Sequence, residues 1–188
     1  MEDSLAQIRK AFGILFVLVA LAVFSASSAS YFVAMHHYPF ALHAAIWLGS
    51  FGLPFGLYFA KARSKMMLIR SRMKNSVSWP GAIKAVNGSC WAAPFALIAV
   101  FPSLLQYLIL FGIGLGNMST YIFMKRFSGI SNNEQLIVGA VSLASIPAAF
   151  VIDQTLFMDN QMVAVFLSRI LIGLSYAFGG IFALFIKK

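Results

Sequence analysis

Acidic residues are scarce in this chain. Five Asp and Glu stand against fourteen Lys and Arg, a formal net charge of +9, and charged residues of both signs make up only 10% of the sequence. A soluble domain carries about a quarter charged residues, so water cannot be the solvent over most of this surface, and lipid must cover it. In a soluble protein the positive excess would point to nucleic acid. Here the basic residues sit at the ends of apolar runs, where they set membrane orientation and meet anionic headgroups, and no nucleic-acid partner is expected. Cys90 is the single cysteine, which excludes an intramolecular disulfide and says nothing about compartment. No histidine follows His43, so Gly88 and Ser89 have no base within reach for serine-nucleophile chemistry. Phosphate-binding loops, dinucleotide fingerprints and paired intramembrane carboxylates are missing as well. No enzyme activity and no cofactor is expected on these grounds.

What the chain has in abundance is long apolar stretches: 61% of its residues are hydrophobic, with a mean hydropathy of +0.86. A helix crossing the ~30 Å hydrocarbon core needs about 20 residues. Six spans are predicted, at about 11–34, 40–60, 85–101, 104–124, 136–152 and 162–186, forming one domain over 1–188 with a basic cytoplasmic segment at 61–84. The first run is too long for the ~7–15-residue apolar region of a signal peptide. Residues 85–124 are too long for one span. Lys84 bounds them on one side and Lys125 and Arg126 on the other, so they must cross an even number of times, turning at Pro102 and Ser103. Lys61, Arg63, Lys65, Arg70, Arg72 and Lys74 crowd the segment after the second span. Positive residues stay on the inner side. Counting from this segment puts thirteen of the fourteen basic residues inside, leaving Arg169 within the last span. The expected fold is therefore all-α: a polytopic integral protein of the cell membrane with six transmembrane helices and both termini cytoplasmic. Ala62, Met66, Ile69 and Met73 recur on one helical face. Residues 61–74 read either as an interfacial helix against anionic lipid headgroups or as a solvated loop.

Small residues suggest where helices meet. Gly52 with Gly56, and Gly112 with Gly116, are GxxxG pairs, and Gly173 with Ala177 is the weaker small-residue version; all are predicted packing positions. The three inward-running spans share glycine clusters, which reads either as a repeated hairpin or as the ordinary glycine content of membrane helices. Arg169 lies about 10 Å from the outer end of its span, counted from Met162. A charge there costs a few kcal/mol unless it is paired, solvated or snorkelled. Asp153, at the outer end of the preceding span, is its predicted ion-pair partner, and Tyr176 shares its helix face. Arg169, Tyr176 and Asp153 are thus the candidate substrate-binding residues. His36, His37 and His43 cluster near the outer turn but lack the carboxylate or fourth ligand of a metal site, so no metal is predicted. Asn117, Ser119 and Thr120 read as interhelical hydrogen bonders or cavity lining. Two functions fit. One is a small transporter, channel or membrane solute-binding module with its polar cavity near Arg169. The other is a non-catalytic subunit or assembly factor of a larger membrane complex, its glycine faces meeting a membrane-protein partner or a second copy.

Overall fold

Proline and glycine punctuate the apolar runs and so decide where helices begin and end. In a computed structural model of the protein, which describes residues 2–63, 67 and 79–185, α1 spans Glu2–Met35 and α2 spans Phe40–Lys61. Pro39 (φ −57, ψ 145) is the N-cap of α2, and Pro80 (φ −53, ψ 145) that of α3, Gly81–Leu97. Proline lacks the N–H that a helix start would leave unbonded, so it suits this place. A short turn and the 3-10 helix Pro102–Leu104 lead into α4, Leu105–Ser128. Gly129 then turns left-handed at φ 63, and its N–H and that of Ile130 both bond Met124 O; a side chain would strain this stop.

The remaining run, Asn133–Phe185, is broken at Asn160 (φ −151, ψ 74). Asn160 Oδ1 accepts a hydrogen bond from Val163 N at 3.3 Å, the contact of a helix N-cap. We call the limbs on either side of this break α5, residues 133–159, and α6, residues 161–185. The expected outer loop over 153–160 is thus mostly helix. Its polar residues continue the helical hydrogen bonds past the apolar stretch, with Thr155 Oγ1 donating back to Val151 O at 2.8 Å, and the reversal is confined to Asn160.

Five helical stretches are long and apolar enough to cross a membrane: Ala6–Met35, Phe40–Lys61, Pro102–Ser128, Asn133–Leu156 and Met158–Phe185. This is the make-up of a membrane protein. Among the described residues there is no strand. The third predicted span, 85–101, corresponds to α3, which has 17 residues, about 25 Å of helix against a hydrocarbon core of about 30 Å. The predicted interfacial stripe of Ala62, Met66, Ile69 and Met73 falls mostly outside the described residues.

Neighbouring helices run antiparallel. Gly13 meets Ala183, Gly180 meets Val17, and Gly173 meets Phe24, so α1 and α6 pack along their length. Gly179 lies on Val138 of α5, and Gly114 of α4 on Leu143. Gly112 and Gly116 of α4 lie on Phe95 and Trp91 of α3. The central packing joins α1, α5, α6 and α4, with α2 flanking α1 and α3 flanking α4. The core is Val23, Leu110, Ile113, Val138, Ala149 and Ile172. A Cβ on Gly180 would stand 2.9 Å from Val17 N and 3.0 Å from Gly13 O, and one on Gly139 would stand 3.0 Å from Met118 N. These are backbone contacts that only glycine permits. Gly112, Gly116 and Gly173 likewise lie against side chains of the neighbouring helices. Gly52 and Gly56 do not: nothing lies within 4 Å of either added Cβ. Their side of α2 points away from the bundle, so the packing expected there is not made among the described residues. No residue of α2 is buried, and Leu48, Leu53 and Leu57 are exposed.

Candidate functional site

A cleft of about 540 Å³ opens at the end of the bundle opposite the chain termini. Its floor is α1, through Ser27, Ser30, Tyr31 and Ala34. One wall is α2, through Phe40, His43, Ala44 and Trp47, and the other is α6, through Gln161, Met162, Val165, Phe166 and Arg169. The cleft follows from the packing order. Both walls lean on α1, while α2 and α6 make little contact with each other. Small residues on α1 keep the floor low, and the Tyr31 and Phe166 rings, 5.2 Å apart, bridge floor and wall.

Arg169 is half-buried in this cleft, with its guanidinium carbon 5.4 Å from the centroid of the Trp47 ring. A cation over an indole face gains about 0.5–2 kcal/mol, more as water is excluded. The ion pair with Asp153 predicted from the sequence is absent. Asp153 instead accepts Gln106 Nε2 at 3.0 Å on each oxygen, and the Tyr107 hydroxyl donates to its Oδ2. The reason is rotational. The Asp153 face of α5 points at α4, while the Arg169 face of α6 points at α1 and α2, so the two side chains leave the hairpin on different sides. Tyr176 is not in the cleft either. It lies seven residues along α6, about 10 Å deeper, edge-on to Phe16 at 5.6 Å and beside the Asn117 side chain. The three candidate binding residues therefore occupy three places, and only Arg169 lines the cleft.

Two polar residues of α1 that the sequence does not single out also line the cleft. Ser27 and Ser30 are each 1% exposed, and neither Oγ has a hydrogen-bond partner among the described residues. A serine inside a helix usually donates back to the carbonyl four residues earlier, as Ser25, Ser145 and Ser175 do here; Ser142 and Ser168, buried away from the cleft, share with Ser27 and Ser30 the lack of a partner among the described residues. A buried hydroxyl without a partner costs about 1–3 kcal/mol. The usable signal was spacing: Ser27, Ser30 and Tyr31 share one face of α1, but that α6 lies opposite is not written in α1.

His43 lines the cleft wall. His36 is turned away: its ring lies 4.2 Å from Phe32, and its Nδ1 is 2.9 Å from Phe32 O. His37 holds the turn at φ 54. Among the described residues, no three His, Cys, Asp or Glu come close enough to share a metal ion. A separate polar cluster joins α3 to α4 near the termini end. Ser119 and Thr120 hydroxyls donate to Asn87 Oδ1 at 2.8 and 3.1 Å, and Trp91 Nε1 donates to Thr120 Oγ1 at 3.1 Å. These are the interhelical bonds expected at Ser119 and Thr120, and their partners are satisfied within the bundle. Asn117 donates to Ile113 O of its own helix at 2.9 Å, and its side chain also hydrogen-bonds Tyr176 of α6.

The chain matches no protein-family model, no curated protein and no solved structure. The functional reading therefore rests on the cleft alone.

Proposed function

We propose that this protein is a membrane solute-binding or transport module that takes an anionic solute in the cleft at Arg169. The observation that carries this is a half-buried guanidinium with no acidic partner among the described residues, facing a cavity floored by two buried serines whose hydroxyls have no partner among those residues. A charge at such depth costs several kcal/mol when left alone. An anion would offset that cost and give Ser27 and Ser30 acceptors at the same time. The planar fork of arginine favours a carboxylate or phosphate, which it can bind through two parallel hydrogen bonds. The test is to purify wild-type and Arg169→Ala protein in the same nonionic detergent and compare co-extracted small molecules by mass spectrometry. An anion retained by the wild type and lost from the variant is the expected result; identical extracts would remove the reading.

The same proposal includes six crossings with both termini, and the headgroup-binding basic segment at 61–74, on the cytoplasmic side. The antiparallel pairing of α3 with α4, from Trp79 beside Ser128 to Phe95 beside Gly112, supports it. Single cysteines at Asn132 and Asn160 should then label from opposite faces of the membrane. Labelling of both from one face would sink the six-span count.

A second reading, a subunit that packs against a membrane-protein partner or another copy, draws on α2, whose outward face carries Gly52 and Gly56 in open space beside exposed leucines. Under that reading, cross-linking through α2 would capture a defined partner and loss of Arg169 would leave the captured partner unchanged.

A further inference from the structure

We propose that the solute is an anionic amphiphile, a single carboxylate or phosphate head on an apolar chain, and that it enters sideways between α2 and α6. This rests on the reading of the cleft as an anion site and specifies its ligand. The first observation is charge. Among the described residues, Arg169 is the one Lys or Arg on the cleft and no Asp or Glu lines it, so the charge it complements is one anionic head. The second is where hydrogen bonding is concentrated. Ser27 and Ser30 sit near Arg169 along the antiparallel α1 and α6, as the flanking contacts Phe24 with Gly173 and Tyr31 with Phe166 require. Both hydroxyls are buried and lack a partner among the described residues, so a turn of each side chain about its Cα–Cβ bond toward the cleft would let the head group's oxygens meet three donors from two helices.

The third observation is what lies between that head site and the mouth. Seven residues separate Arg169 from Met162, about 10 Å of helix, and this stretch is walled mainly by Val165 and Phe166 of α6, Tyr31 of α1 and Trp47 of α2, with His43 and Gln161 as the polar residues toward the mouth. A bare inorganic anion would leave that apolar length uncovered; an alkyl chain fills it. The cavity volume falls within the ~300–1,000 Å³ usual for small-molecule sites. The fourth is access. α2 and α6 each pack on α1 and make little backbone contact with each other, meeting through Trp47 and Arg169, so the route we infer runs between these two apolar helices on the Met162 side of that pair. A ligand already dissolved in the bilayer reaches it without crossing water. Phe40 at the mouth is 85% exposed, which keeps that edge apolar.

Trp47 provides the readout, since a bromine atom on a chain in the cleft would quench its fluorescence; Trp79 and Trp91 belong to the far flank, on and beside α3. Purified protein in nonionic detergent is titrated with a brominated fatty carboxylate, a brominated alkyl phosphate and a brominated alcohol of equal length. The expected result is saturable quenching by at least one of the two anions, its absence with the alcohol, and its loss in Trp47→Phe. Arg169→Gln should raise the half-saturating concentration roughly 10- to 100-fold, the worth of a charge-assisted hydrogen bond. Ser27→Ala with Ser30→Ala should raise it less, and this variant keeps the test open if Arg169→Gln does not fold. Which anion binds tighter identifies the head. Equal quenching by the alcohol, unmoved by these variants, would mean partition onto a lipid-facing surface and would overturn the proposal. Complete competition by tail-less acetate or phosphate at equal concentration would overturn the amphiphile while leaving the anion site standing. No binding by any anion would remove both.

Discussion

Gly180→Ala tests the arrangement on which the cleft depends, the close approach of α1 and α6. The new Cβ would stand 2.8 Å from Val17 Cγ2, 2.9 Å from Val17 N and 3.0 Å from Gly13 O. Ordinary carbon contacts begin near 3.5 Å, and two of these three neighbours are backbone atoms that cannot rotate away. The helices must separate by roughly half an ångström, and a gap of that size forfeits about a quarter of the dispersion well of each contact along the interface. Overpacking of this kind costs about 1–3 kcal/mol. Alanine returns up to about 1 kcal/mol through its higher helix propensity, so the net loss is about 1–2 kcal/mol. Gly52→Ala is the matched control, because nothing lies within 4 Å of its Cβ; only the propensity term acts, and it is neutral to stabilising by up to about 1 kcal/mol. Thermal unfolding in nonionic detergent should therefore move in opposite directions, down for Gly180→Ala and level or up for Gly52→Ala. A Gly180→Ala protein that melts at or above the wild type would refute backbone contact between α1 and α6. A Gly52→Ala protein that melts lower would show that something covers the outward face of α2.

The helices themselves were legible because they are written in local runs: apolar stretches of sufficient length, ended by Pro39, Pro80, Pro102, Gly129 and basic residues. Where local signals were ambiguous the boundaries moved. Asp153, Gln154, Thr155 and Asp159 read as a loop because they are polar, yet they continue a helix that projects past its apolar part. GxxxG spacing marked faces that can pack, but not what they pack on. Gly112 and Gly116 find Phe95 and Trp91, while Gly52 and Gly56 find nothing among the described residues. The cleft was harder still. Arg169, Gly173 and Gly180 share a helix face, as their spacing says, and that face turns to α1. Nothing within α6 names α1 as its neighbour. Asp153 was chosen as the partner for Arg169 because it is close in sequence, but the facing direction of each limb of a hairpin is set by the helices packed around it. Trp47, Ser27 and Ser30 come to Arg169 from two distant segments, so only the assembled bundle brings them together.

Three further experiments follow from particular contacts. Asn87→Ala removes the acceptor shared by Ser119 and Thr120 and should cost about 1 kcal/mol, read as a lower melting temperature; each hydroxyl retains Gly116 O as an alternative, so a loss several times larger would mean the α3 contact carries more than these bonds. Tyr107→Phe and Asp153→Asn should be coupled in a double-mutant cycle by about 0.5–3 kcal/mol, since the hydroxyl donates directly to the carboxylate; additivity would mean the bond is not formed. Asp153→Ala and Arg169→Ala should instead be independent of each other. Breaking a buried ion pair strands one charge, and the second substitution then relieves it, so a true pair costs less in the double mutant than the two singles together. Here Asp153 is held by Gln106 and Tyr107, and Arg169 lies over Trp47, so no charge is stranded by the loss of the other. Unfolding free energies of the two single mutants should therefore add to within about 0.5 kcal/mol in the double. A coupling above 1 kcal/mol would place the two side chains in contact in the membrane, close the cleft's cation with an internal acid, and leave no charge there for a ligand to meet.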